Sequence, residues 1–206
     1  MKKDFKPLVY IIRHGETSWN KEKRLQGQTN DVPLSNVGME QMQHISCNLK
    51  SLNHEWIAIL SPMLRAQESF NVINNNLKIP SENVFIIDEM KEMNFGDFEG
   101  QKKEDIKNHS FFEERKRDKW NTAYPNGESY EDLYNRVLNS DFLNIFKLAQ
   151  KSFKHVLVVG HGSLNKVIPL VIKKDKSEKD EVIKIQQANN EVILFDGDCY
   201  YKNSFL

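Results

Sequence analysis

The chain has 206 residues, 39% hydrophobic and 28% charged, with 29 Lys and Arg balancing 29 Asp and Glu. That composition supports one folded domain and excludes overall disorder. Zero net charge leaves no basic surplus for nucleic acid or an acidic membrane face. Cys47 and Cys199 lie far apart without metal-ligand spacing and read as reduced thiols of a soluble, cytoplasmic protein. The N-terminus is basic, but its apolar run LVYII is too short for a signal-peptide core and ends at Arg13. No segment approaches the roughly 18 apolar residues of a membrane span.

In chain order, Leu8 to Ile12 is the first strand, rich in Val, Tyr and Ile. Ser35 is placed to cap a helix over about 36 to 51, in which Met39, Met42 and Ile45 are core positions and Leu49 and Leu52 continue the helical spacing. Trp56 to Leu60 is the second strand. Ser61 as N-cap and Pro62 at the first helical position open the next helix, which fades in the run Asn74-Asn75-Asn76. Val84 to Ile87 is a short third strand, and EMNFGDFEG forms a loop built around Gly96 and Gly100. Residues 101 to 119 are heavily charged with helical spacing, and Pro125-Asn126-Gly127 is a turn. Ser129 caps a helix over about 129 to 149 whose apolar side holds Val137, Leu138, Phe142, Ile145 and Leu148. His155 to Val159 is the fourth strand, a helix covers about 163 to 173, and Glu191 to Phe195 is the last clear strand.

Short apolar strands alternating with amphipathic helices predict a three-layer α/β/α domain around a mainly parallel central sheet. The whole chain, 1–206, reads as one domain. Its least regular stretch, about 90 to 126, reads as a small helical or loop insertion lying over the site.

Ligands of such sheets bind outside the carboxyl ends of the strands. There VYII runs into Arg13-His14-Gly15 and VLVVG into His161-Gly162, while WIAIL leads to a helix carrying Arg65 in its first turn. Gly15 lets the backbone come close to a ligand. The third short strand leads to Glu89, Glu92, Asp97 and Glu99. Two histidines, two arginines and several carboxylates on one rim suit phosphoryl transfer. The guanidinium fork grips phosphate oxygens, a neutral imidazole attacks phosphorus, and a carboxylic acid protonates the leaving oxygen. Which carboxylate does so is left open by these residues alone. The phosphate loops GxxxxGK[ST] and GxGxxG, the calcium loop DxDxDG and the G-x-S-x-G elbow are all missing, and His and Asp do not cluster at metal-ligand spacing.

Six blocks in order, RHGETSWN (13 to 20), LQGQTNDVPLS (25 to 35), SPMLRAQES (61 to 69), EMNFGDFEG (92 to 100), PNGESY (125 to 130) and VVGHGS (158 to 163), make the chain resemble the histidine phosphatase superfamily. The branch is the one that includes phosphoglycerate mutases and small-molecule phosphatases, and the blocks cover nearly the whole chain. The resemblance implies a phosphoglycerate mutase-like fold with His14 as the nucleophile that becomes phosphorylated. It puts Arg13, Arg65 and His161 in the rest of the phosphate pocket. It selects Glu92 as proton donor to the leaving group and then as base for water. Asn20 and Gln26 match positions that touch phosphate or substrate, and Gly162 would contribute a backbone donor. No metal and no cofactor are implied.

Mutases of this branch resemble the chain in the same blocks but typically carry a longer insertion that shields the phospho-enzyme from water. Here only 68 residues separate Glu92 from His161, and the helix at about 129 to 149 uses many of them. That favours a phosphomonoester hydrolase acting on a small phosphorylated metabolite over a mutase, and the presence of the implied nucleophile, acid and arginines favours it over a non-catalytic member that binds a phosphorylated ligand or a partner protein. The cover from Gln101 to Pro125 carries seven Lys or Arg, five Asp or Glu, and the aromatics Phe111, Phe112, Trp120 and Tyr124. These aromatics are expected to line the leaving-group side, suiting an aromatic, sugar or nucleoside-like ester.

Overall fold

The computed structural model describes residues 5–203; the basic first residues of the N-terminus, 1–4, lie outside them. Among the described residues nine α-helices and six β-strands follow in order, with three short 3-10 turns between them. They are β1 (Val9–Arg13), α1 (Ser18–Lys21), α2 (Asn36–Ser51), β2 (Trp56–Leu60), α3 (Leu64–Leu77), β3 (Val84–Ile86), α4 (Lys103–Ile106) and α5 (Ser110–Arg117). After these come α6 (Tyr130–Leu138), α7 (Phe142–Lys151), β4 (His155–Gly160), α8 (Leu164–Lys173), α9 (Lys179–Val182), β5 (Val192–Phe195) and β6 (Tyr200–Asn203).

The six strands form one sheet in the order β3-β2-β4-β1-β5-β6. The first four neighbours are parallel, whereas β5 runs antiparallel to β1 and β6 antiparallel to β5. Because side chains alternate across a strand, each buried strand feeds two cores. Ile12, Ala58, Leu60, Leu157 and Val159 meet Met42, Ile45, Leu49, Phe70 and Ile73 of α2 and α3. On the other face Val9, Ile11, Ile57, Ile59 and Val158 meet Leu133, Val137, Phe142, Ile145, Val167 and Val171 of α6, α7 and α8. The result is the expected three-layer α/β/α arrangement with a mainly parallel sheet. No helix among the described residues is long and apolar enough to cross a membrane.

Local signals hold where capping and periodicity agree. α2 starts behind Ser35, whose hydroxyl accepts from Gly38 N, and Ser129 opens α6 with a capping box to Asp132. Within α2, Met39 turns out to be 49% exposed, whereas Met42 and Ile45 are buried. The helix expected over 129 to 149 is two helices. Ser140 Oγ donates to Val137 O and accepts from Phe142 N, so a side chain competes for the backbone and breaks the run. The break re-phases α7 so that Phe142, Ile145 and Ala149 face inward and Leu148 is exposed.

Two further expectations are corrected. α3 begins at Leu64 with Met63 as N-cap, so Ser61 and Pro62 precede the helix, and Ser61 is engaged elsewhere. Gly15 allows a close approach, but to α2: a Cβ there would stand 2.5 Å from Gly38 O, and a Cβ at Gly38 would stand 2.2 Å from Glu16 O. Two glycines thus seat the segment after β1 directly on the second helix.

Candidate active site

The register carries the strand tips to one rim. Arg13 pairs with Gly160, His14 N donates to Gly160 O at 3.0 Å, and Ser61 N donates to Val159 O at 3.1 Å. His14 follows β1, Ser61 follows β2, and His161 follows β4, the strand between them. The rings of His14 and His161 stand 5.3 Å apart, centroid to centroid.

His14 Nδ1 lies 2.8 Å from Gly15 O. A carbonyl only accepts, so Nδ1 carries the hydrogen and Nε2 keeps its lone pair. Arg13 is fixed by Nη1 donating to Gln187 O at 3.0 Å, and its Nε is buried without a partner. Arg65, 1% exposed, donates to Thr29 O at 2.8 Å and Gly27 O at 2.7 Å, and its Nε too has no partner. Gly15 N donates to Ser69 Oγ, which donates to Arg65 O, so β1 and α3 are tied together behind the site. His161 is fully buried. Its Nε2 is 2.7 Å from Ser61 Oγ and its Nδ1 is unpartnered.

Glu92 is seated at the start of α8. Its Oε1 accepts from Met93 N, Ser163 N and Leu164 N at 2.8 to 3.1 Å, and Oε2 from Ser163 N at 3.0 Å. A helix N-terminus suits a carboxylate. The loop before it is held by Arg136, which donates to the carbonyls of Glu89, Lys91 and Glu92 and pairs with Glu128 at 2.7 Å. The other acidic candidates are placed elsewhere. Glu99 is taken up by Gln28 N, Thr29 N, Thr29 Oγ1 and Phe95 N, Asp97 is bonded to Asn126, and Glu89 is exposed.

These groups bound a polar cavity of about 170 Å³ whose wall includes Arg13, His14, Arg65, Glu92 and Lys166. His161 stands behind that wall. Asn20 and Gln26 line it. Asn20 Oδ1 is occupied by Thr17 N and Oγ1 in the cap of α1, while Gln26 Oε1 is buried without a partner. Gly162 lines it too, and a Cβ there would lie 3.6 Å from the Arg13 guanidinium and 3.7 Å from Glu92 Oε2. The second compartment, about 420 Å³, shares Leu25, Phe95, Lys103 and Ser163 with the first and adds Ile106, Phe112 and Tyr124. Two predicted lining aromatics are not there. Trp120 is 2% exposed and packs in the main core, and Phe111 is buried against Phe98. Sequence reading also missed Lys166, in the first turn of α8, which lines the cavity.

Among the described residues, no group of three or more His, Cys, Asp or Glu side chains is disposed to hold a metal ion.

Burial, then the charges of Arg65 and Arg13, hold His14 well below its ordinary pKa of 6.5 against the Gly15 carbonyl. Burial, then Arg65 and His14, do the same to His161. Both imidazoles are neutral at neutral pH. Burial pulls Arg65 down to about 10, with Glu92 opposing, so it stays cationic. Burial and then Lys119 pull Lys166 down to about 8. The two histidines make stability pH-dependent. Below the ordinary value of about 6.5 the unfolded chain takes up protons that the native state refuses, so stability is full above that pH and falls as acid is added. In urea titrations between about pH 7 and about pH 5, His14→Asn should flatten the loss by up to about 1.4 kcal/mol per pH unit. An unchanged slope would remove His14 from this account.

An α/β/α sandwich that brings Arg13, His14 and Arg65 to one polar cavity, with the His161 ring 5.3 Å from that of His14, has a phosphoglycerate mutase-like fold. The model of the histidine phosphatase superfamily (branch 1) matches residues 9–203, and the chain belongs to that family. It is 33% identical over 156 residues to the uncharacterised phosphatase PhoE of Bacillus subtilis strain 168, covering 75% of this chain and 72% of that protein. It is 29% identical over 194 residues to a phosphoglycerate mutase of Schizosaccharomyces pombe, covering 93% and 90%. Among solved structures, a mycobacterial glucosyl-3-phosphoglycerate phosphatase complexed with VO3 superposes with a TM-score of 0.77 at 20% identity, covering 91% of this chain and 92% of that one.

Proposed function

We propose that the chain is a metal-independent phosphomonoester hydrolase that works through a phosphohistidine on His14, with a small phosphorylated metabolite as substrate. The observation that carries this reading is the set of orphaned donors. Arg13 Nε, Arg65 Nε and His161 Nδ1 are buried without partners around a histidine whose Nε2 lone pair is free to attack. A buried unpaired donor is costly, and three of them about one spot are what a tetrahedral oxyanion satisfies. In the first step the Nε2–P bond forms, the P–O bond to the leaving group breaks, and Glu92 gives that oxygen a proton. In the second, water attacks phosphorus while Glu92 takes its proton, and Nε2 departs, releasing inorganic phosphate. Gly162 lies between Arg13 and Glu92, where its backbone meets the transferring group, and Asn20 and Gln26 hold the substrate side.

Mutase-type transfer is the second reading, favoured by the near full-length likeness to a protein named as a phosphoglycerate mutase. The short cover argues for hydrolysis, because 68 residues between Glu92 and His161 leave little chain to exclude water. The deciding assay measures inorganic phosphate from a panel of phosphomonoesters, with and without 2,3-bisphosphoglycerate. Hydrolysis predicts release that needs no bisphosphate. Isomerisation of 3-phosphoglycerate that depends on the bisphosphate, with no phosphate released, would overturn it.

We further propose that the leaving group lies in the second compartment, against Phe95, Phe112 and Tyr124, with segment 102 to 124 as cover. Phe112→Ala should therefore reorder the substrate panel. Trp120→Ala should leave the order intact while lowering stability by about 3–5 kcal/mol in urea titrations, as for other large core aromatics. Equal reordering by both variants would count against this placement.

A further inference from the structure

Ser61 was expected to cap a helix. It does not, and its hydroxyl is committed to the site. Ser61 and His161 are both 0% exposed, and their side chains meet at 2.7 Å, Oγ to Nε2. A neutral imidazole has one hydrogen for two nitrogens, and the partner of one nitrogen decides which carries it.

The hydrogen count around Ser61 settles the direction of that bond. A hydroxyl has one hydrogen to give and two lone pairs to receive. Met63 N–H already donates to Ser61 Oγ at 3.3 Å. Among the described residues, the only acceptor recorded for the hydroxyl hydrogen is His161 Nε2. If Ser61 donates, Nε2 accepts and Nδ1 carries the hydrogen. In the reverse case the hydroxyl hydrogen would be buried with no acceptor, and Nδ1 would present a lone pair to the electron-rich phosphoryl group.

We infer that Ser61 is a positioning residue that fixes His161 as the Nδ1–H tautomer, so that this nitrogen donates to the phosphoryl oxygens during transfer. β4 lies between β2 and β1, so Ser61 holds His161 from the β2 side and His14 flanks it on the other. The rest of the ring's mounting is equally fixed. His161 N donates to Asn165 Oδ1 at 3.1 Å, Asn165 Nδ2 donates to Gln187 Oε1 at 2.8 Å, and Gln187 O receives Arg13 Nη1. The low proton affinity that burial and Arg65 confer on His161 keeps the ring neutral, so a tautomer choice exists at working pH. The inference rests on the phosphohydrolase reading only for the identity of the group that Nδ1 meets.

The test is ring-nitrogen NMR of the full chain labelled with 15N-histidine, with His161 assigned by the signals lost in His161→Gln. The expected result is a protonated-type Nδ1 and an unprotonated-type Nε2, with the Nδ1 hydrogen shifted by saturating inorganic phosphate. Ser61→Ala should move hydrogen to Nε2 and lower kcat by about 10- to 100-fold with KM changed less than about twofold, while Ser61→Thr, which keeps the hydroxyl, restores both tautomer and rate. A wild-type His161 protonated on Nε2, or a folded Ser61→Ala enzyme with unchanged kcat, would overturn the proposal. Should Ser61→Ala fail to fold, the wild-type tautomer decides alone. Should the wild type turn over no ester, the phosphohydrolase reading fails, and the tautomer measurement still tells whether Ser61 sets the ring.

Discussion

A His14→Ala enzyme is expected to lose turnover of every phosphomonoester by at least about 10³-fold in kcat while remaining folded. In the proposed mechanism this residue supplies the lone pair that forms the bond to phosphorus, and its neighbours Arg13, Arg65 and Glu92 on the cavity wall are poor substitutes. Arg13 and Arg65 are cations without a free pair, and Glu92 is held by three backbone N–H groups. The folded structure should tolerate the change, because the recorded hydrogen bond of the His14 ring is a local one, to the adjacent Gly15 O. A second readout follows from the intermediate. Brief exposure to a 32P-labelled substrate should leave base-stable, acid-labile label on the wild type and none on His14→Ala. Residual turnover within about tenfold of the wild type would remove His14 from the nucleophile's role.

Arg65→Ala should be the next most damaging change, and it should strike twice. In the proposed mechanism Arg65 is a phosphate donor, and losing one such donor costs about 10²- to 10³-fold in kcat/KM. The same guanidinium holds Gly27 O and Thr29 O at 2.7 and 2.8 Å, so truncation also strands two carbonyls at about 1–3 kcal/mol each. Arg65→Lys should recover little of either, because a single ammonium cannot span both carbonyls and the phosphate in one plane. Steady-state kinetics and urea unfolding on the same preparations check both parts. A folded Arg65→Ala enzyme within tenfold of wild-type kcat/KM would sink the assignment.

How much of this was written in the sequence depends on the distance over which each signal acts. β2, and α2 with its Ser35 cap, were readable to the residue, because alternation, helical spacing and capping act over a few positions. The rim carrying Arg13, His14, Arg65 and His161 was readable as well, since parallel strands put their C-terminal tips together. Contacts between distant segments were not. Ser61 sits where a helix cap belongs, and only the packing of β2 against β4 turns its hydroxyl to His161. Gly15 and Gly38 are 23 positions apart, and nothing local marks them as a pair. Trp120 sits in a charged stretch, yet burial among Tyr130 and Tyr134 makes it core. The choice among Glu89, Glu92, Asp97 and Glu99 needed either the family pattern or the fold, since four carboxylates within eleven residues differ only in what they reach.

The position of β4 in the middle of the sheet has a bearing on how the protein comes into being. β4 is the fourth of six strands in the chain, yet it separates β1 from β2. Leu8 N finds its partner in His155, 147 positions away, and Val9 pairs with Val156. During synthesis, β1 and β2 leave the ribosome with a gap between them that only a much later segment fills. Closing so long a loop is slow relative to local helix formation. The proposed nucleophile is therefore made early and the β4 tip that completes its surroundings late, so a nascent or truncated chain ending before β4 should carry His14 and Arg65 and still be inert toward phosphate esters.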